Sequence, residues 1–105
     1  MRYLRTGGRI PIELPVEISW KARNGKVRRA EGQTASISSN GVFMRVPVKL
    51  RPHTPITISV KLPIEFTKIP LKLLCQGRVV SQPSEASGLR AVIDDYELRP
   101  SRRAA

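Results

Sequence analysis

Leu14-Pro15-Val16-Glu17-Ile18-Ser19-Trp20-Lys21 decides the fold. Leu14, Val16, Ile18 and Trp20 fall on one side, while Glu13, Glu17, Ser19 and Lys21 fall on the other. Successive side chains of an extended backbone point to opposite faces, so a period of two marks a strand with one buried side. Asn24-Gly25 follows, a dipeptide suited to the tight turns that close hairpins. A returning strand, polar on its outer side, is predicted from about Val27 to Ile37.

The same rhythm continues outward from this hairpin. Asn40-Gly41 supplies a second turn and leads into Val42-Phe43-Met44-Arg45-Val46. Residues 47–55 contain Pro47, Pro52 and Pro55 and read as a loop. Ile56, Ile58, Val60 and Leu62 alternate with Thr57, Ser59 and Lys61, which is a further strand. Residues 63–70 form a second loop. Leu71, Leu73, Cys75 and Val79 predict a long strand with an irregularity at Gly77. Residues 82–87 make a turn, and Leu89, Ala91 and Ile93 give a last strand ending at Asp94-Asp95. Six short strands joined by turns predict an all-β fold, a six-stranded antiparallel β-barrel. Closing the sheet removes the free edges that invite aggregation. A short C-terminal helix after the barrel is left open. The organisation expected is a basic N-terminal arm over residues 1–10, a barrel over 11–96 and a basic, disordered tail over 97–105.

A chain of 105 residues fits one domain with one core. Hydrophobic residues at 40% suffice to fold it, but aromatics at 5% are too few for a row of base-stacking platforms. The 19 Lys and Arg against 8 Asp and Glu give a net charge of +11. That excess favours nucleotides, nucleic acid, an anionic membrane or an acidic protein face, without choosing among them. Cys75 is the only cysteine, so an internal disulfide is excluded and a reducing compartment is expected. No apolar run reaches the roughly 18 residues that span a bilayer. The N-terminal arginines have no apolar stretch behind them, so a secretory signal is not expected. These features predict a cytoplasmic protein.

Two clusters carry the functional reading. Arg5-Thr6-Gly7-Gly8-Arg9 sets two guanidiniums four positions apart on a loop with a glycine hinge. The planar fork of arginine donates two hydrogen bonds to a phosphate and also stacks on a purine face. Ser36-Ile37-Ser38-Ser39-Asn40-Gly41 is a hydroxyl-rich turn of small residues. Arg5 and Arg9 beside Ser36, Ser38 and Gly41 suit an anion that carries hydrogen-bonding bases, such as a nucleotide. On these residues alone, a solvated arm and a plain hairpin turn stay open as alternatives.

Other chemistry finds less support. His53, the only histidine, sits in a proline-flanked loop, so a metal site lacks ligands. Cys75 lies on the inward side of a strand and reads as a small buried residue rather than a nucleophile. Asp94 and Asp95 are adjacent, and a strand turns them to opposite faces, which makes a poor acid–base pair. Trp20 and Phe43 are expected in the core. No catalytic constellation, metal or cofactor is expected, and the chain does not read as an enzyme.

In their order and spacing the two clusters resemble the PilZ domains, bacterial receptor domains for the second messenger cyclic di-GMP. Arg5 and Arg9 match the paired arginines of that family, Ser38 its serine and Gly41 its glycine. Gly77-Arg78-Val79-Val80 and Gly88-Leu89-Arg90-Ala91-Val92-Ile93 look like its late strands. The similarity spans roughly residues 5–96. It implies a PilZ-like barrel that binds cyclic di-GMP through Arg5, Arg9, Ser36, Ser38 and Gly41 and signals to a downstream protein partner. One position departs from the pattern: the family places Asp or Asn where this chain has Ser36. A hydroxyl can accept, but it lacks a carboxylate's charge and an amide's reach. Losing such a charge-assisted bond costs about 1.5–3 kcal/mol, about ten- to a hundredfold in affinity. Leu4, just before Arg5, offers no phosphate contact and favours one bound nucleotide over a stacked pair; Arg2 is placed to compensate. Two further readings are a degenerate PilZ domain acting by protein contacts alone, and a small basic barrel binding RNA or single-stranded DNA. The scarcity of aromatics counts against the latter.

Overall fold

The computed structural model describes residues 11–38, 40–81 and 88–100. The arm at 1–10, Ser39, the turn at 82–87 and residues 101–105 lie outside the described residues. Along the chain come β1 (Pro15–Lys21), β2 (Val27–Ser38), β3 (Gly41–Arg45), β4 (Pro55–Lys61), a helical turn α1 (Ile64–Thr67), β5 (Leu71–Ser81) and β6 (Gly88–Pro100). The strands close into a barrel in the order β1-β2-β3-β6-β5-β4, and every neighbouring pair is antiparallel. The architecture is the six-stranded antiparallel barrel that the alternation predicts.

The alternating apolar residues meet in layers inside the cylinder. Ile18 lies opposite Ile58, which lies opposite Cys75. Met44 faces Leu89, and Val42 faces Ala91, which faces Val79. All of these are buried. Each large aliphatic side chain removed from water contributes about 1.5–3 kcal/mol, so these layers are what hold the sheet shut. Burial also pushes the Cys75 thiol up to about 11, which keeps it protonated and unreactive at neutral pH. Trp20 is half-buried and packs against this core, as expected.

Phe43 corrects the expectation. Its neighbours Val42 and Met44 are both buried, so the two-residue period turns Phe43 to the outer face, where it is only half-buried. Its apolar character suggested the core; strand geometry decides otherwise.

Two strands depart from regular pairing. The register of β5 against β6 shifts between Gln76 and Gly77, at the irregularity predicted for Gly77. A Cβ at Gly77 would stand 2.2 Å from the Val92 carbonyl oxygen, and one at Gly32 would stand 2.0 Å from that of Arg45. Both positions need hydrogen in place of a side chain because another backbone passes against them. In β2 the register against β3 shifts between Thr34 and Ser36, which leaves Ala35 as the extra residue of a bulge. This bulge flips the facing of the strand. Thr34, opposite Met44, is buried, whereas Ser36 lies opposite the outward Phe43.

The last strand also runs further than predicted. It was expected to end at Asp94-Asp95, but β6 continues to Pro100 and pairs with β5 as far as Leu71. Residues 94–100 are all exposed, so no burial alternation marks this stretch in the sequence, and backbone pairing alone extends it. Residues 97–100, expected in the tail, therefore belong to the barrel's last strand. The helical turn α1 falls between β4 and β5, inside the loop predicted at 63–70, and the stretch after the barrel, where a short helix is left open, lies outside the described residues. α1 is one turn long and stops at Lys68, whose φ of 68° is left-handed. The Lys68 N–H donates to the Ile64 carbonyl at 2.8 Å, and the Thr67 hydroxyl donates to the Ile69 carbonyl at 2.6 Å. At the opposite end of the barrel, Trp20 and Lys21 of β1 pair with Arg28 and Val27 of β2 and with no other strand among the described residues, forming a short two-stranded ribbon.

Candidate functional site

Three of the sequence-predicted site residues lie together on the outer face of the β2–β3–β6 sheet. Pairing aligns them in two rows. Ser36 of β2 lies opposite Phe43 of β3, which lies opposite Arg90 of β6. In the next row, Ser38 lies opposite Gly41, then Val92 of β6, then Arg78 of β5. Inward residues flank both rows: Ile37, Val42 and Ala91 pack on the core. The bulge at Ala35 is what brings Ser36 to the outer surface.

The two serines differ in what surrounds them. Ser36 is half-buried. Ser38 is only 4% exposed, and its hydroxyl already serves the turn, lying 2.9 Å from Asn40 Oδ1 and 3.3 Å from the Gly41 carbonyl oxygen. The Asn40 carbonyl accepts from the Ile93 N–H at 3.0 Å, tying this turn to β6. Gly41 is buried within the pairing of β2, β3 and β6.

Arginines occupy both rows and are held differently. The Arg78 guanidinium grips Asp94 with two hydrogen bonds, Nη2 to Oδ1 at 2.8 Å and Nε to Oδ2 at 3.0 Å. The pair holds the Asp94 carboxyl below its ordinary value, chiefly through the hydrogen bond, and raises Arg78 further by the same contact. Asp94 thus forms an ion pair with Arg78, and no acid–base pair with Asp95 is formed. The Arg90 guanidinium instead lies over the Phe43 ring, its central carbon 5.3 Å from the ring centroid. Among the described residues no carboxylate lies within ion-pair distance of Arg90. The sequence reading places Phe43 in the core and gives Arg90 no role at the site. The alternations Val42-Phe43-Met44 and Leu89-Arg90-Ala91 carry the signal that turns both outward.

Arg5 and Arg9, and with them Leu4 and Arg2, lie outside the described residues. The chain that leads away from them does not. The Thr34 hydroxyl is 1% exposed; it donates to the Ile12 carbonyl at 2.6 Å and accepts from the Leu14 N–H at 2.9 Å. The Thr34 N–H donates to the Leu14 carbonyl at 2.9 Å. Residues 12–14 are thereby pinned to β2, two positions before Ser36.

Two clefts open on the barrel, the second reaching Arg78 at the end of the second row. One runs past Pro15, Glu31, Gly32, Ser59 and Lys61, and another past Trp20, Val27, Ile56, Gly77 and Arg78. Neither includes Ser36, Ser38 or Gly41. Among the described residues no cluster of His, Cys, Asp or Glu could hold a metal ion, and no helix is long and apolar enough to cross a membrane.

Comparison with known proteins defines the class of fold. No protein-family model and no curated protein matches the sequence. Among solved structures, the chain is similar to the PilZ domain of CeSA from a cellulose-synthesizing bacterium, with a TM-score of 0.59 and 24% identity. The match covers 83% of this chain and 80% of that one. At this identity the likeness establishes a PilZ-type barrel fold.

Proposed function

We propose that this chain is a cyclic di-GMP receptor or adaptor module, bacterial and cytoplasmic, that signals to a partner protein without chemical turnover. The Thr34 pin carries the reading. It fixes the chain three residues after Arg9 against the strand that presents Ser36. Three residues of extended chain span at most about 10 Å, so Arg9 starts within that distance of the pinned segment. Arg5 and Arg9 would clasp the phosphates while the Ser36–Gly41 turn receives a guanine edge. A PilZ-type barrel and a net charge of +11 support an anionic ligand. Ordering the arm over the sheet would create a new surface, and a partner that prefers this surface would read the signal.

A second reading keeps the fold and drops the ligand. The Ser38 hydroxyl is already engaged in its own turn, and Ser36 replaces Asp or Asn; both favour a domain that acts by protein contacts alone. Calorimetric titration with cyclic di-GMP separates the two. Under the first reading heat is released, Arg9→Ala removes most binding, and Ser36→Asp tightens it about tenfold or more, the gain of a charge-assisted bond. No heat at high micromolar ligand would favour the second reading. Binding unaffected by Arg9→Ala would put the ligand elsewhere.

A further inference from the structure

We infer that Phe43 and Arg90 form a purine-stacking platform, a base subsite beside Ser36 on the outer sheet face. The inference rests on the nucleotide reading above and extends it to two residues that the paired arginines and the serine turn do not include.

Three observations carry it. First, the ring and the cation are built into one row: Phe43 and Arg90 are direct partners across β3 and β6, with the guanidinium 5.3 Å from the ring centroid. Second, an aromatic face is what holds this guanidinium, and no described carboxylate neutralises it. Arg78, one row away, shows the contrary arrangement, its fork closed on both oxygens of Asp94. The Arg90 guanidinium stands over the ring and the residue is exposed. The pair therefore offers a planar cation already placed beside an aromatic ring at the surface. Third, the row places the platform next to the candidate site. Adjacent strands lie about 4.8 Å apart, so Ser36 and Arg90 are about 10 Å apart, with Phe43 between them. That spacing lets one nucleotide meet Ser36 at an edge and the Arg90 plane at its face.

The chemistry selects a purine. Stacking on arginine and on an aromatic ring depends on the area of the π-face, which is largest for bicyclic bases.

The test uses the whole chain and two variants. Arg90→Lys keeps the charge and loses the plane; Phe43→Leu keeps an apolar cover and loses the ring. Cyclic di-GMP affinity is expected to fall about tenfold in each, the usual loss for one stacked base. The Tm of both variants is expected to stay near that of the parent. In the parent, the Arg90 Nε–H resonance should move upfield on adding cyclic di-GMP, as a base ring current requires, and should not do so with inorganic phosphate. If the parent binds and both variants bind within twofold of it, the platform is overturned while the arm-and-turn reading stands on its Arg9→Ala result. If phosphate reproduces the resonance shift, the platform is likewise overturned and Arg90 is a plain anion contact. If the parent releases no heat and the resonance does not move, both readings fall together.

Discussion

Two rows of residues run side by side across the same sheet, and they are finished differently. In the row Ser38–Gly41–Val92–Arg78, the polar side chains are used up within the protein: the Ser38 hydroxyl in its turn, the Arg78 fork on Asp94. In the row Ser36–Phe43–Arg90, an exposed cation rests on an aromatic ring that faces outward. Folding alone does not call for that second arrangement, since turning a phenyl ring outward forgoes its burial. The contrast separates a row that closes the structure from one that presents a surface. It also shows why residue type is a poor guide: each row has a serine and an arginine.

Four changes would break or sharpen the comparison. The largest effect is expected at Gly77, beside the irregularity that leaves Asp94 as the extra residue of β6. Gly77→Ala would drive a methyl into the Val92 carbonyl, and a loss of about 3 kcal/mol, at the upper end for overpacking, should appear in urea denaturation. A loss below about 0.5 kcal/mol would mean that β5 and β6 separate easily there. Next comes Thr34→Val, which leaves the Ile12 carbonyl and the Leu14 N–H unpaired and should cost about 1–3 kcal/mol. It should also weaken cyclic di-GMP binding, because the arm loses its anchor; unchanged affinity would argue against that coupling.

Ser38→Ala is expected to cost about 1 kcal/mol through the turn, while Ser36→Ala is expected to lower affinity for cyclic di-GMP about tenfold. The reverse pattern would exchange the roles of the two rows. The smallest effect belongs to Arg78 and Asp94. The carboxyl is held below its ordinary value in the folded chain, so its contribution is present above the ordinary aspartate range and is lost as pH falls through the lowered value. Both groups are exposed, so solvent screens the pair. Asp94→Asn should flatten the acid limb of a Tm-versus-pH curve only slightly and leave the curve near neutrality unchanged.

Much of the fold was legible because burial on one face writes a period of two into the residues. Leu14 to Lys21, Ile56 to Leu62 and the irregularity at Gly77 could all be read that way. The end of β6 could not: with residues 94–100 exposed, nothing in their order distinguishes a paired strand from a tail. Phe43 was legible from its neighbours, yet its apolar character pointed the wrong way. The site was legible in part. The Ser36–Gly41 turn stood out through its small residues and falls where β2 meets β3. The Thr34 pin was hidden, since it joins residues 20 or more apart and a threonine inside a polar run gives no sign of being buried. The meeting of Arg90 with Phe43 required the register of β3 against β6, which no local pattern specifies.

The ribbon at the start of β2 has a consequence for how copies of this chain behave at high concentration. A two-stranded extension with unpaired outer edges is a template onto which another chain's backbone can add. Here that ribbon and its turn carry Lys21, Arg23, Lys26 and Arg28, and no acid lies between Ile18 and Ala30. Two such ribbons approaching each other meet like charge against like charge before their amides can pair. Part of the basic excess therefore acts as a guard against self-association, one that dissolved salt weakens by screening.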